Sequence, residues 1–109
     1  MPQLSCWNVI SWNIRGLNSE KKQLALNNAI KTSGCAVVCL RETKMSEVSF
    51  PFIKTCCPRQ FDRFAFVPSR GSSGGLLMIW KSAVFSGTIV SSDHFALVVN
   101  FVSMQSSHT

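Results

Sequence analysis

The residues that build zinc sites are scarce in this sequence. It has two histidines, and none of its five cysteines belongs to a CxxC pair, so no ligand set with zinc-site spacing is present. Cys35 and Cys39 flank an apolar run and suit a core, while Cys56 and Cys57 are adjacent. An odd number of unpaired thiols is typical of a reducing compartment, so we expect a nuclear or cytoplasmic protein.

Long apolar runs are missing as well. No run approaches the ~20 residues of a membrane-spanning helix. The N-terminal stretch MPQLSCWNVISW lacks both the basic region and the continuous apolar region of a secretory signal. The sequence therefore predicts no contact with a membrane.

Acidic residues are few. Five Asp and Glu stand against eleven Lys and Arg, which gives a net charge of +6. Such an excess suits a polyanionic partner such as nucleic acid, because neutralising phosphates releases counterions. Basic residues scattered over the surface as solubilising groups would give the same balance, and charge alone leaves both explanations open.

Apolar residues are plentiful by contrast. The sequence is 46% hydrophobic and 15% charged, a composition that argues against disorder. Its 109 residues allow one domain at most. We assign residues 1–102 to that domain and residues 103–109 to a polar tail.

The first third of the chain has the pattern of a βαβ unit. Leu4 to Trp12 carries apolar residues on both faces, which predicts a central strand covered on each side. Glu20 to about Ser33 has helical periodicity, and Gly34 can end that helix in a left-handed conformation. The apolar run from Cys35 to Leu40 predicts a second buried strand, parallel to the first.

The rest of the chain is rich in strands. Thr43 to Asp62 is interrupted by prolines and is predicted to be mostly loop, with room for one helical turn. Four further strands are predicted at Arg63–Val67, Leu76–Trp80, Gly87–Val90 and Phe95–Val102. Their short connections favour antiparallel neighbours in a β meander, so the fold class is mixed α/β.

Two polar residues directly follow the two strands of the βαβ unit. Asn13 follows the first and Glu42 follows the second. The carboxyl ends of parallel strands share one sheet edge, where ligand and metal sites gather. Amide and carboxylate oxygens suit Mg²⁺. Alternatively, Asn13 is an ordinary turn former and Glu42 a solvated loop acid.

Three blocks of sequence carry a family resemblance. SWNIRGLN (residues 11–18), VVCLRETK (37–44) and GSSGGLLMIWKSAVFSG (71–87) together resemble the endonuclease/exonuclease/phosphatase superfamily. The closest likeness is to the endonuclease domain at the N-terminus of plant LINE-type, non-LTR retrotransposons. The blocks stand in the family's order and approximate spacing, and they span most of the chain, from residue 11 to residue 87.

The resemblance implies a hydrolase of known type. The expected fold is a four-layer α/β sandwich, incomplete in this chain, and the expected activity is that of a Mg²⁺-dependent phosphodiesterase that nicks DNA. The residue matching Asn13 orients the scissile phosphate in the family, and the one matching Glu42 is a metal ligand. The resemblance therefore implies Mg²⁺ as the metal cofactor and DNA as the partner, and it implies no organic cofactor.

The sequence departs from the family pattern at several positions. Arg41 replaces the usual Gln, and Cys35-Ala36 replaces a frequent Pro-Asp pair. Arg15 stands where the abasic-site repair branch often has an acidic residue that adds to the metal site. These departures favour the retrotransposon branch over the repair branch.

The family's remaining site residues are not found. They include a Tyr, an Asp-x-Asn pair and a terminal Ser-Asp-His, whereas this sequence has no Tyr and neither Asp62 nor Asp93 is followed by x-Asn. We therefore predict that the chain alone has no significant nuclease activity. The alternatives are a non-catalytic, basic nucleic-acid-binding remnant and an unfolded product of a decayed element.

Two local patterns imitate functional motifs. Ser92-Asp93-His94 spells the terminal triplet of the family, but its position directly after the hairpin favours a coincidental match over a joined C-terminal motif. Gly71, Gly74 and Gly75 fit neither GxGxxG nor a P-loop, so they predict a tight turn or a close backbone approach rather than a phosphate cradle.

Overall fold

A computed structural model describes residues 8–104 as six strands and two helices. In chain order these are β1 (Val9–Asn13), α1 (Glu20–Ser33), β2 (Val37–Arg41), α2 (Phe50–Cys56), β3 (Arg63–Val67), β4 (Leu76–Trp80), β5 (Phe85–Ser92) and β6 (Leu97–Ser103). The predictions for residues 1–7, at the start of the first strand, and for most of the polar tail lie outside the described residues. Neither helix of residues 8–104 has the length and apolar character needed to cross a bilayer.

Helix α1 has the predicted bounds, and its end signals explain them. The Ser19 side chain accepts a hydrogen bond from the Lys22 backbone N–H at 3.1 Å, which caps the first turn. Gly34 closes the last turn with φ +64°, and its N–H donates to the Ile30 carbonyl at 3.1 Å. Leu26 and Ile30 are buried in the core, so the helix packs through a single apolar stripe.

The main sheet has the strand order β1-β2-β4-β3. The predicted parallel pairing of β1 with β2 is confirmed, and the other two pairings are antiparallel. The prediction of a central first strand is wrong, because β1 forms an edge of the sheet. Val9 is 56% exposed, since no described residue covers that end of its face.

The two faces of this sheet have different cover. The helix face packs on α1 and α2 and forms the larger core. Its fully buried side chains include Ile14, Leu17, Leu26, Val38, Leu40, Ile53, Phe61, Leu77 and Ile79. The opposite face, here called the second face, carries a smaller cluster of Val37, Ala65 and Trp80.

Helix α2 was not predicted as an element of its own. It runs for two turns within a stretch interpreted as mostly loop. The Ser49 side chain accepts from the Phe52 N–H at 3.4 Å, and Pro51 lies in the first turn, where a missing N–H costs no hydrogen bond. Ile53 and Cys56 are buried. The proline therefore starts a helix here instead of breaking one.

Strands β5 and β6 form a separate two-stranded sheet, so the predicted continuous meander is wrong. The Lys81 carbonyl accepts from the N–H groups of Val84 and Phe85, each at 3.0 Å, and this tight turn carries the chain out of the first sheet. The hairpin packs on the second face through Trp80, whose ring lies 5.1 Å from that of Phe101. Two sheets and two helices confirm the mixed α/β class and an incomplete α/β sandwich.

Candidate active site

The loops that follow β1 and β2 are bonded together at the carboxyl edge of the sheet. Asn13 pairs in register with Arg41, the residue before Glu42. The Ile14 N–H donates to the Arg41 carbonyl at 3.0 Å, and the Gly16 N–H donates to the Glu42 carbonyl at 2.7 Å. Asn13 ends β1 and Glu42 directly follows β2, so the two residues lie at the same edge of the sheet, where the sequence places them.

The backbone at Glu42 is held in an uncommon conformation. Glu42 has φ +55°, and Arg15 and Lys44 have φ +54° and +59°. Each left-handed non-glycine residue costs about 1–2 kcal/mol, so hydrogen bonds on both sides must hold this segment. The amides of Thr43 and Lys44 supply them by donating to the carbonyls of Gly75 at 3.2 Å and Gly74 at 2.9 Å. Residues strained in this way cluster at ligand sites.

Asn13 carries an unsatisfied buried atom. Its Oδ1 is inaccessible to solvent and accepts no hydrogen bond, and it is the single buried side-chain nitrogen or oxygen of residues 8–104 in that state. Strand alternation with Trp12, which packs in the larger core, places Asn13 on the second face. An orphan acceptor of this kind demands an explanation in a native fold, and a ligand or metal at the sheet edge supplies one.

The carboxylate of Glu42 also forms no ion pair within the described residues. The one ion pair of residues 8–104 joins Arg63 and Asp62 at 3.9 Å, so Glu42 is not paired with Arg15, Arg41 or any other cation there. Its side chain is half-buried. Within residues 8–104, the Glu42 carboxylate therefore has no ion-pair partner and the Asn13 Oδ1 has no hydrogen-bond partner.

This donor set fits one type of metal site. Mg²⁺ keeps several waters and is held by one or two carboxylates together with substrate phosphates, whereas Ca²⁺ takes six to eight oxygens. Residues 8–104 contain no group of three or more His, Cys, Asp or Glu placed to hold a metal. Asn13 and Glu42 therefore fit an open Mg²⁺ site completed by water and phosphate, and they do not fit a closed metal cage.

The glycine-rich connection between β3 and β4 supports this edge. Gly75 is buried with φ +97°, and a Cβ added to it would collide with the Thr43 hydroxyl oxygen. Gly71 and Gly74 have open space around them and provide the turn through φ +62° and +77°. The geometry agrees with the predicted role in turn formation and close approach, which here presses the loop onto the segment that carries Glu42.

The two aspartates are engaged in structure. Asp93 Oδ1 accepts from the N–H groups of Phe95 at 2.8 Å and Ala96 at 2.9 Å, which shapes the hairpin turn. Asp62 accepts from the Ser82 N–H at 2.9 Å and from its hydroxyl at 2.6 Å. Partial desolvation raises the pKa of Asp62, but the hydrogen bonds from Ser82 outweigh it and hold that pKa below its ordinary value.

His94 is not paired with its neighbouring aspartate. Its Nε2 lies 2.9 Å from Arg70 Nη2, across 24 residues of sequence. Because an arginine only donates, this contact requires that Nε2 accept. No sequence pattern signals a contact between such distant residues, so the link between the β3–β4 loop and the hairpin turn was missed by sequence reasoning.

Two solved structures resemble the fold. The APE2 catalytic domain from Xenopus laevis matches with a TM-score of 0.51 and 22% identity over 70% of this chain and 24% of that one. The AP endonuclease LMAP from Leishmania major matches with a TM-score of 0.52 and 25% identity over 72% of this chain and 25% of that one. The fold is endonuclease/exonuclease/phosphatase-like. Neither a family model nor a curated protein matches the chain in sequence.

The chain spans about a quarter of the length of these AP endonuclease structures. The likeness therefore applies to only part of such a fold.

Removing the orphan acceptor is expected to stabilise the protein. Asn13→Leu replaces a buried unsatisfied amide with an apolar group, which should raise the free energy of unfolding by about 1 kcal/mol. Urea denaturation without added metal measures the change. Asn8→Leu is the matched control, because the Asn8 amide donates to the Ser33 carbonyl at 2.6 Å and its loss should destabilise. A loss of stability in Asn13→Leu would show that Oδ1 has a partner in solution.

Proposed function

We propose that this chain carries the first part of a Mg²⁺-dependent phosphodiesterase site that acts on DNA, with Asn13 and Glu42 as its site residues. We also propose that the chain alone does not cleave DNA. The observation that carries the proposal is the unsatisfied, buried Oδ1 of Asn13 at the sheet edge it shares with Glu42. The likeness to two AP endonuclease structures supports it.

The roles of the residues follow from their chemistry. Glu42 supplies the anionic oxygen for a divalent ion, and the Oδ1 of Asn13 supplies a neutral oxygen for the same ion. The Nδ2 group of Asn13 is the donor that orients a phosphate at the same edge. When bound, Mg²⁺ polarises a phosphoryl oxygen and stabilises the charge that develops on the leaving oxygen. The exposed cations Arg15, Arg41 and Lys44 attract the flanking phosphates.

The proposed origin is a plant LINE-type retrotransposon. The three blocks at residues 11–18, 37–44 and 71–87 support this origin. Arg15 favours it over the repair branch, in which that position is often acidic. A reverse transcriptase reading frame downstream in the genomic DNA would support it further.

Supercoiled plasmid incubated with the 109-residue chain and Mg²⁺ is expected to stay intact. The chain has no Tyr and no Asp-x-Asn, and its His94 is bonded to Arg70 and not to a carboxylate. Loss of general acid–base catalysis alone costs about 10²–10⁴-fold in rate. Gel electrophoresis of the plasmid is the assay, with Glu42→Gln as its matched control. Nicking by the natural sequence that disappears in Glu42→Gln would contradict the proposed inactivity.

A second candidate function is nucleic-acid binding without catalysis. The exposed cations Arg15, Arg41 and Lys44 at the sheet edge and the net charge of +6 favour it. DNA binding that weakens with added salt and is unaffected by Glu42→Gln would support this alternative. An absence of binding at low salt would remove it.

A further inference from the structure

The turn of the β5–β6 hairpin lies at the same rim as the candidate site. This turn, residues 93–96, is called the hairpin tip below. Arg70 bonds to His94 of the tip at 2.9 Å, and the loop that carries Arg70 is bonded through Gly74 to Lys44 at 2.9 Å. The tip also stands over the second face, the face on which Asn13 lies.

The tip presents an aromatic ring to solvent. Phe95 is 88% exposed, more than any other large apolar side chain of residues 8–104. The tip itself is ordered, because the carboxylate of Asp93 accepts from two of its amides and the Asp93 N–H donates to the Ala96 carbonyl at 2.9 Å. The ring of His94 stands edge-on to that of Phe95, with centroids 6.3 Å apart. A hydrogen-bonded turn thus holds an aromatic ring outside the core.

An apolar cleft of about 230 Å³ lies between the tip and the sheet. The sheet contributes Cys39, Leu76 and Met78 to its lining, and the hairpin contributes Phe95 and Leu97. Leu76 pairs in register with Arg41, so the cleft opens beside the carboxyl edge. Phe95 therefore lies at one wall of the cleft, and Arg41 lies on the strand beside its opening.

Charge decides which partner suits this surface. Arg41, Lys44 and Arg70 are exposed near the cleft, while the carboxylate of Asp93 is occupied by backbone amides. Aromatic rings beside cations form the usual platform for single-stranded nucleic acid, in which bases stack on the rings and phosphates meet the cations. An acidic or apolar protein segment would use only one of these two features.

We propose that Phe95 is a stacking platform for an unpaired nucleobase, seated at the mouth of this cleft while Arg70 and Arg41 hold the adjacent phosphates. The proposal rests on the proposed function, because it assigns a base contact to the strand whose phosphate would meet Asn13 and Glu42. It places recognition of an unstacked base beside the phosphodiester site.

The test uses the full chain and a single-stranded oligonucleotide that contains 2-aminopurine, whose fluorescence falls when it stacks on an aromatic ring. Affinity is measured by anisotropy at low salt, and stacking by the fluorescence quench. We expect the natural sequence to bind and to quench. Phe95→Leu keeps an apolar side chain but removes the ring, and it should weaken binding about tenfold and abolish the quench. Phe95→Trp should preserve both.

Matched measurements separate this inference from the proposed function. Leu24→Ala changes an apolar side chain that is 67% exposed on α1, and it should leave affinity and quench unchanged. A fully paired duplex should not quench. Binding without a quench, or equal quenching by Phe95→Leu, would overturn the stacking platform and leave the phosphodiester site standing. Failure of the natural sequence to bind any DNA would overturn both.

Discussion

Gly75→Ala is expected to destabilise the protein by about 3 kcal/mol or more. A Cβ at this position would collide with the Thr43 hydroxyl oxygen and would lie 3.2 Å from the Lys44 backbone nitrogen. Neither the Thr43 hydroxyl nor the Lys44 nitrogen has room to move away. Thr43 is 1% exposed, and the N–H groups of Thr43 and Lys44 donate hydrogen bonds to the carbonyls of Gly75 and Gly74. The residue must also adopt φ +97° with a side chain. The free energy of unfolding of a small domain is about 5–15 kcal/mol, so the substitution should remove a large fraction of it.

Gly74→Ala provides the matched control for this substitution. Gly74 has φ +77°, but a Cβ built on it meets no atom within 4 Å. Only the backbone cost of about 1–2 kcal/mol applies there. Urea denaturation of both variants measures the difference. Equal losses at the two positions would show that the collision with Thr43 is not the cause.

The consequence of Gly75→Ala reaches the candidate site. Thr43 directly follows Glu42 in the chain. The hydrogen bond from the Thr43 N–H to the Gly75 carbonyl helps to hold Glu42 in its left-handed conformation. Moving the β3–β4 loop outward therefore releases the segment that positions the carboxylate. Residual folded Gly75→Ala should bind divalent metal more weakly than Gly74→Ala.

Local sequence signals predicted the elements that local physics determines. Helix α1 has an apolar stripe, the capping Ser19 and the terminal Gly34, and its predicted bounds agree with the structure. Strands β3 and β4 also have the predicted bounds, because turn-forming residues flank them on both sides.

Elements that depend on tertiary contacts were not predictable in the same way. Helix α2 has only two turns, too few for a periodic signal, and Pro51 favours a helix start only when Ser49 caps it. The tight turn at Lys81 directs β5 into a second sheet, and Phe101 of that sheet packs on Trp80 of the first. Sequence spacing between strands indicates a turn, but it does not indicate which sheet the next strand joins.

Some features of the candidate site were likewise predictable from the sequence, and others depend on tertiary contacts. The rule that parallel strands share a carboxyl edge was sufficient to place Asn13 and Glu42 together. The orphan Oδ1, the left-handed backbone of Glu42 and the contact between Arg70 and His94 all depend on packing between distant segments. No pattern of residue types along the chain encodes these features.

Glu42→Gln is expected to abolish specific divalent-metal binding at the sheet edge. The substitution keeps the size of the side chain and the backbone cost at φ +55°, and it removes the one anionic oxygen proposed for the site. Loss of a hydrogen-bonding partner outside the coordination sphere already lowers metal affinity about 10–100-fold, so loss of the ligand charge should cost at least as much. Glu47→Gln, an exposed acid in the following loop, is the matched control.

The most direct measurement is an NMR titration with Mn²⁺, which broadens the amide signals of residues near its binding site. We expect selective broadening of residues 13–16 and 42–44 in the natural sequence and in Glu47→Gln, and no such broadening in Glu42→Gln. Broadening that centres on Asp62 or Asp93, or that is the same with and without the Glu42 carboxylate, would contradict a metal site built on Asn13 and Glu42.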